Sequence, residues 1–397
     1  MGLNDTPSSE RIHIGFFGMR NAGKSSLVNA VTGQELAVVS DVAGTTTDPV
    51  KKAMELLPLG PVVIIDTPGL DDEGALGELR VQKTQAMLKE VNLAVMVVDG
   101  TKGMQKADED LVQLLDALKV PYIVAYNKAD EYGEQSESAD DKGIWVSAAT
   151  GYHILELKER IAAMGKAQKT ERVLVADLTE PGDVVILVVP IDEAAPKGRL
   201  ILPQQQTIRE LLEAGVITVV CKDTEFADTL KKVGTKPKLV ITDSQAFGRV
   251  SQIVPEDIML TSFSILFARY KGSLETLVAG ARVLDTLKDG DKILMAEGCT
   301  HHRQCGDIGS VKLPGWIRKY TGKEIAFSFT SGGDFPEDLH EYALVVHCGG
   351  CTLTEQVMGR RMAGCREASV SMTNYGMAIA HMNGILKRSM EPFGTQA

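Results

Sequence analysis

The 397-residue chain has no excess of basic side chains: 42 Lys and Arg stand against 53 Asp and Glu, a formal net charge of −11. Phosphate backbones are bound through clustered cations, so this balance argues against nucleic acid as a partner. No run reaches the roughly 18–20 apolar residues of a membrane span. The opening MGLNDTPSSE lacks the charged-then-apolar pattern of a secretory signal. It fits the myristoylation spacing at Gly2 and Thr6, but nothing polybasic follows to supply a second anchor. The expectation is a cytoplasmic protein with no membrane partner. Cysteine is scarce as well. Six residues in such a chain exclude a disulfide framework and read as ligands or core thiols. Cys221 closes an apolar strand and reads as a core thiol. The other five, Cys299, Cys305, Cys348, Cys351 and Cys365, lie in the C-terminal third and point to chemistry there. Bulk composition, 44% hydrophobic and 24% charged, is that of a globular protein too long for one core, so two or three domains are expected.

What is present begins with a phosphate loop. The apolar strand Ile12 to Phe17 runs into GMRNAGKS, Gly18 to Ser25, and a helix continues from Ser26 to Thr32. Glycines let backbone N–H groups wrap phosphates, and the helix N-terminus adds positive potential there. Gly18, Asn21, Ala22, Gly23, Lys24, Ser25 and Ser26 are therefore nucleotide-binding candidates. Lys24 is placed to reach the β/γ-phosphates and Ser25 to ligate Mg²⁺. A buried strand, Val62 to Ile65, ends in Asp66-Thr67-Pro68-Gly69, where Asp66 would hold Mg²⁺ through water and Gly69 would donate to the γ-phosphate. Strands at Val91 to Val98 and Tyr122 to Tyr126 follow, the latter ending in Asn127-Lys128-Ala129-Asp130. Ser147-Ala148-Ala149 follows a fourth strand.

These four motifs resemble the GTPase family. In that family the NKxD aspartate, here Asp130, accepts two hydrogen bonds from guanine, Lys128 packs over the base, and the Ser147 to Ala149 loop closes on it. Charge-assisted bonds of about 1.5–3 kcal/mol each select guanine over adenine. Two details resemble the tRNA-modification and ribosome-assembly branch. GTTTD, Gly44 to Asp48, is similar to that branch's GTTRD switch, with Thr46 as the Mg²⁺-sensing residue and Thr47 in place of arginine. Asn21 matches the asparagine with which that branch binds K⁺. Leu70 stands where Ras-like proteins carry a water-orienting glutamine, and a hydrophobic side chain cannot orient water. The expectation is slow, potassium-stimulated GTP hydrolysis with Lys24, Asn21, Thr46, Asp66 and Gly69 as the catalytic set.

Beyond a charged helix and linker, Lys158 to Arg172, β-branched strands alternate with helices: Val184 to Val189, Gln204 to Ala214, Ile217 to Cys221, Phe226 to Val233 and Leu239 to Thr242. This pattern predicts a small parallel sheet, read as an oligomerisation unit. Further on, helices are expected at Ser264 to Tyr270 and Leu274 to Leu287, and a closing helix at Thr373 to Met390 with His381 on it. The strand Lys292 to Ala296 is followed by Cys299 and His301. The strand Tyr342 to Val346 is followed by His347-Cys348-Gly349-Gly350-Cys351. If these strands are parallel neighbours, both groups emerge at one sheet edge. The spacing alone leaves two metals open: a closed zinc site of Cys299, His301, Cys348 and Cys351, or a cubane on three cysteines with one weakly held iron. Gly306 to Gly309 formally fits an RNA-binding GxxG loop, but Asp307 inside it would repel a phosphate backbone.

Taken together, the layout resembles the HydF family, the GTPases that mature FeFe-hydrogenase, over essentially the whole chain, most specifically in C-x-H…H-C-x-x-C. The spacing between His301 and His347 is at or just below the short end of that family's pattern. The resemblance implies an α/β architecture: a P-loop GTPase domain (1–168), a small parallel α/β dimerisation domain (175–262) and an α/β cluster-binding domain (263–397). It implies GTP/GDP, Mg²⁺ and K⁺ as cofactors, and a 4Fe–4S cluster on Cys299, Cys348 and Cys351, with His301 or His347 as fourth ligand. It further implies a homodimer or higher oligomer that carries a transient two-iron precursor. Two radical SAM maturases, HydE-like and HydG-like, and the FeFe-hydrogenase apoprotein would be its partners. The competing readings are an RNA- or ribosome-directed GTPase with a zinc-stabilised C-terminal domain, and a GTP-regulated iron–sulfur redox enzyme.

Overall fold

The computed structural model describes residues 6–34, 50–67, 84–85, 87–132, 143–168, 172–191, 200–298 and 307–394. The chain forms two compact units, Met1–Glu171 and Arg172–Ala397.

The first unit is built on a six-stranded sheet: β1 (Ile12–Phe17), β2 (Val50–Leu56), β3 (Gly60–Asp66), β4 (Leu93–Asp99), β5 (Tyr122–Asn127) and β6 (Gly143–Trp145). Its order is β2-β3-β1-β4-β5-β6, with only β2 antiparallel to its neighbour. The central strands are continuous apolar runs because both faces are covered; every residue of β4 is buried. On one face lie the helices Lys24–Thr32 and Ile154–Gln168 over Ile14, Phe16 and Val95. On the other, the helix Lys106–Ala117 contributes Leu111 and Leu115 to a core with Phe17, Ile65 and Met96. The edge strand β2 exposes Lys51 and Lys52, charges that blunt an unpaired strand edge. Parallel strands aim their carboxyl ends the same way, so the loops after β1, β3, β5 and β6 share one edge of the sheet.

The second unit contains two four-stranded, wholly parallel sheets. The first is β10-β9-β7-β8, formed from β7 (Val184–Val188), β8 (Ile217–Cys221), β9 (Leu239–Thr242) and β10 (Met259–Ser262). The second is β12-β11-β13-β14, from β11 (Lys292–Ala296), β12 (Ala326–Thr330), β13 (Leu344–His347) and β14 (Ser371–Asn374). One hydrophobic cluster takes Ile186 and Val240 from the first sheet and Leu294 and Val345 from the second, so the two sheets share a core.

Three local expectations need correction. Thr373 and Asn374 are the end of β14, and the closing helix splits into Tyr375–Met382 and Leu386–Met390. The Asn374 side chain caps the first helix by accepting the Met377 N–H (2.8 Å), and Gly384, at φ +69°, breaks the run. The stretch Leu274 to Leu287 is α-helical only to Arg282 and tightens into a 3₁₀ turn, Val283–Thr286. β8 is an edge strand with Ile217 and Val220 exposed, so Cys221 is half-buried against the shared core.

Candidate functional site

The first site lies at the carboxyl edge of the N-terminal sheet. Gly18 has φ +147°, and a Cβ there would sit 2.1 Å from the Val97 carbonyl oxygen. Gly23, at φ +84°, comes so near Asn127 that a Cβ would lie 2.3 Å from its Nδ2. Only glycine lets the loop lie this close to β4 and β5. Asn21 adopts φ +61°, a left-handed conformation that asparagine tolerates better than most residues. Lys24 is buried and donates to the carbonyls of Gly18 (2.9 Å) and Met19 (2.8 Å), spanning the loop that it closes. Ser25 donates from Oγ to Asp66 Oδ2 (2.9 Å) across the gap between the loop and β3. Burial pushes the Asp66 carboxyl above its ordinary range, against the opposing hydrogen bond from Ser25 and the charge of Lys24. Its Oδ1 is buried with no hydrogen-bond partner among the described residues. A serine hydroxyl beside an orphaned carboxylate oxygen is a donor set that fits Mg²⁺.

Asn127 ties the edge together. Its Nδ2 donates to Ala22 O (3.0 Å) in the phosphate loop, and its Oδ1 accepts from Ala148 N (3.0 Å). Lys128, at φ +67°, pairs with Asp99 Oδ2 at 2.7 Å. Burial raises the Asp99 carboxyl, but hydrogen bonds from Lys128 and Thr101 outweigh that and hold it below the usual range. Asp130 is exposed at the start of the short helix Ala129–Tyr132. Ser147 is buried and its Oγ accepts from Thr150 N (3.1 Å), while Ala149 is exposed. Asp99 carries no motif, and its role shows only once β4 and β5 lie side by side. Ser26 lies in the first turn of the helix Lys24–Thr32, directly after Ser25. Thr46, Gly69 and Leu70 lie outside the described residues.

The second site lies at the carboxyl edge of the C-terminal sheet. β11 and β13 are parallel neighbours, with Ala296 opposite His347, so the two Cys/His groups do follow adjacent strands. Cys348 N donates to Ala296 O (2.8 Å). The Cys348 thiol in turn receives the N–H of Gly298 (3.0 Å) and of Gly350 (3.4 Å), and Thr352 Oγ1 donates to Gly298 O (3.0 Å). Gly298 immediately precedes Cys299 in sequence. Gly350, at φ +65°, reverses the chain between the two cysteines, and a Cβ there would meet Met358 Sδ at 2.9 Å. Two amides directed at one sulfur match the backbone hydrogen bonds that support metal-bound sulfur. Burial pushes the Cys351 thiol up, with the charge of Lys271 and neighbouring backbone N–H groups opposing.

His347 is wholly buried, with Arg361 Nη1 donating to its Nε2 (2.8 Å) and its Nδ1 2.8 Å from Cys348 O. A guanidinium only donates, so Nδ1 carries the proton. Burial, reinforced by the Arg361 charge, lowers the imidazole to about 4. As placed, both ring nitrogens brace the loop. Arg361 is itself buried, with Nη2 on Gly332 O (2.5 Å) and its guanidinium 4.9 Å over the Phe335 ring. Lys271 lies far from Cys351 in sequence and Arg361 on the helix that follows it, and no pattern flagged either. Cys365 is buried inside the helix Glu355–Glu367, its thiol raised by burial to about 11, as befits a core thiol. His381 pairs with Asp285 (3.0 Å) on the surface. Cys299, His301, His302 and Cys305 lie outside the described residues, and among the described residues no three metal-ligating side chains converge. The donor chemistry of Cys348 and Cys351, two cysteines on a glycine-reversed loop beside the backbone leading to Cys299, fits a metal cluster.

No helix among the described residues is long and apolar enough to cross a membrane. Residues 13–128 match the family described as 50S ribosome-binding GTPase. GTPase Der of Wolinella succinogenes is 35% identical over 174 residues, 40% of this chain and 36% of that protein. The tRNA modification GTPase MnmE of Dichelobacter nodosus is 36% identical over 175 residues, 42% and 38% of the two chains. The chain thus spans little more than a third of the length of these relatives. A solved structure of Aquifex aeolicus Era bound to GDP·AlF₄⁻ is 20% identical with a TM-score of 0.35, covering 61% of this chain and 97% of that one. The second unit matches two further models in succession, the hydrogen maturase F dimerization domain over residues 174–272 and the hydrogen maturase F tetramerization domain over 275–392. With both of these domains in order behind a GTPase domain, the chain belongs to the hydrogen maturase F (HydF) family.

Proposed function

We propose that the protein is a GTP-hydrolysing scaffold or carrier that receives the two-iron precursor of the FeFe-hydrogenase cofactor and delivers it to the apoenzyme. Two radical SAM maturases, HydE-like and HydG-like, would supply that cargo. The observation that carries this reading is the paired edge of β11 and β13, where Cys348 Sγ receives the amide of Gly298, the residue before Cys299. Cys299, Cys348 and Cys351 would hold a 4Fe–4S cluster, which supplies a fourth iron open to an exchangeable ligand. His301 or His347 is the candidate for that position; His347 would first have to give up Arg361. The glycine-reversed loop sets the backbone between the two cysteines, and Cys351 is partly buried.

At the nucleotide edge, Lys24 would exchange its loop carbonyls for the β/γ-phosphates. Ser25, with Asp66 through water and Thr46, would hold Mg²⁺, which offsets developing phosphate charge. Asp130 and Lys128 would select guanine, with Ser147 to Ala149 closing on the base. Gly69 would donate to the γ-phosphate, and Asn21 would hold K⁺. With leucine at position 70, hydrolysis is expected to be slow and faster in potassium than in sodium.

The test is protein reconstituted without oxygen. About four irons per chain with a reducible cubane signal in electron paramagnetic resonance, lost in Cys348→Ser without loss of GTP hydrolysis, is the expected result. Stoichiometric zinc, or no iron after reconstitution, would sink the cluster reading.

A further inference from the structure

The cysteine loop does not rest on its own domain alone. Cys348 packs against the core of the second sheet, with Leu284, Met295 and Tyr375. Cys351, three residues on, packs instead against the core of the first sheet, with Phe263 and Phe267. Beside Cys351 lies Lys271, the last residue of the helix Phe263–Lys271 and part of the dimerization-domain match. Its side chain is only 3% exposed. Nζ donates to the carbonyls of Leu353 (2.8 Å) and Cys351 (3.3 Å) and lies 5.6 Å from the centre of the Phe267 ring. The buried ammonium is held by these carbonyls and the ring face, which fixes it against the cysteine-bearing loop. In a low-dielectric setting the charge acts at short range on anything negative bound there.

We infer that Lys271 is a positioning residue for the cluster: an amine supplied by the dimerization domain that clamps the Cys351 loop and offsets the negative charge of the thiolate-bound iron. The inference rests on the cluster reading above. It makes the C-terminal sheet dependent on its neighbour for the state of its metal. Reduction adds one electron to the cluster, drawn in a titration from dithionite through low-potential mediators, and a nearby fixed positive charge stabilises the reduced form. Removing the charge therefore drives the midpoint potential down.

The experiment compares anaerobically reconstituted full-length protein with Lys271→Gln, which keeps a donor but no charge, and Lys271→Arg, which keeps both. Iron per chain, thermal melting and the potential by electron paramagnetic resonance are the readouts. Lys271→Gln should retain iron and shift the one-electron equilibrium about tenfold toward the oxidised form, ~59 mV. Lys271→Arg should stay at the wild-type potential. Loss of iron in a folded Lys271→Gln but not in Lys271→Arg would equally support the charge. Iron-loaded Lys271→Gln at the wild-type potential, or loss of iron in both variants, would overturn the inference and leave Lys271 a packing residue. Wild-type protein that takes up no iron would instead overturn the cluster reading itself.

Discussion

The two sites are built on the same principle, loops at the carboxyl edge of a parallel sheet, but they differ in what holds them. At the nucleotide edge, the anchoring partners all belong to the nucleotide motifs: Lys24 holds Gly18 and Met19 of its own loop, and Asn127 joins Ala22 of the phosphate loop to Ala148 of the base loop. At the thiol edge, the holding groups come from elsewhere in the chain. Arg361 braces His347 from the helix that follows, and Lys271 reaches in from the dimerization domain. The first site can form once one sheet is in place. The second requires two sheets to meet.

The contrast is sharpest under substitution of Asn127. Asn127→Ala removes the two bonds that join the phosphate loop to Ala148, at a combined cost of about 2.8 kcal/mol, and should weaken GTP binding about 100-fold. Fluorescent-nucleotide titration measures it. Iron content should not change, and an equal loss of iron would merge the two sites into one cooperative structure.

A smaller effect is expected at the thiol edge. Gly350→Ala forces a left-handed residue to carry a Cβ against Met358, at a cost of about 1–2 kcal/mol. Chemical denaturation of the C-terminal unit should show it, with nucleotide affinity untouched. A variant of wild-type stability would mean that the loop relaxes without strain.

The smallest is electrostatic. The Tyr320 hydroxyl, and then His381, hydrogen-bond to Asp285 and hold its carboxyl below the usual range. A carboxyl depressed in the folded state contributes stability that is present above its unfolded pKa and lost as pH falls through the folded one. The site is half exposed, so the loss below about pH 4 should be a few tenths of a kcal/mol after screening. An acid melt of Asp285→Asn lacking that limb checks it, while the nucleotide unit should melt as before.

Most of the nucleotide edge was legible because its chemistry is local. A phosphate loop needs glycine where the backbone approaches β4 and β5, and a lysine a few residues on, so the spacing is itself the geometry. The strands β3, β4 and β5 announced themselves as apolar runs, since both of their faces are covered, and β1 did so despite His13. β12 and β14 did not: AFSFT is a partly exposed edge strand, and SMTN has one apolar residue in four. Asn374 shows why the closing helix was placed too early, because a side chain that caps a helix can also end a strand.

From its letters alone the chain declared a guanine-nucleotide site, parallel α/β layers and two Cys/His groups, each following a strand. Those features are written in contiguous residues, where φ preferences and side-chain period act. Tertiary structure alone decided that β11 and β13 are neighbours, that His347 is a buried neutral brace, and that Lys271 and Arg361 stand behind the cysteines. Buried charge and shared cores join residues distant along the chain, and only the folded backbone brings them within reach.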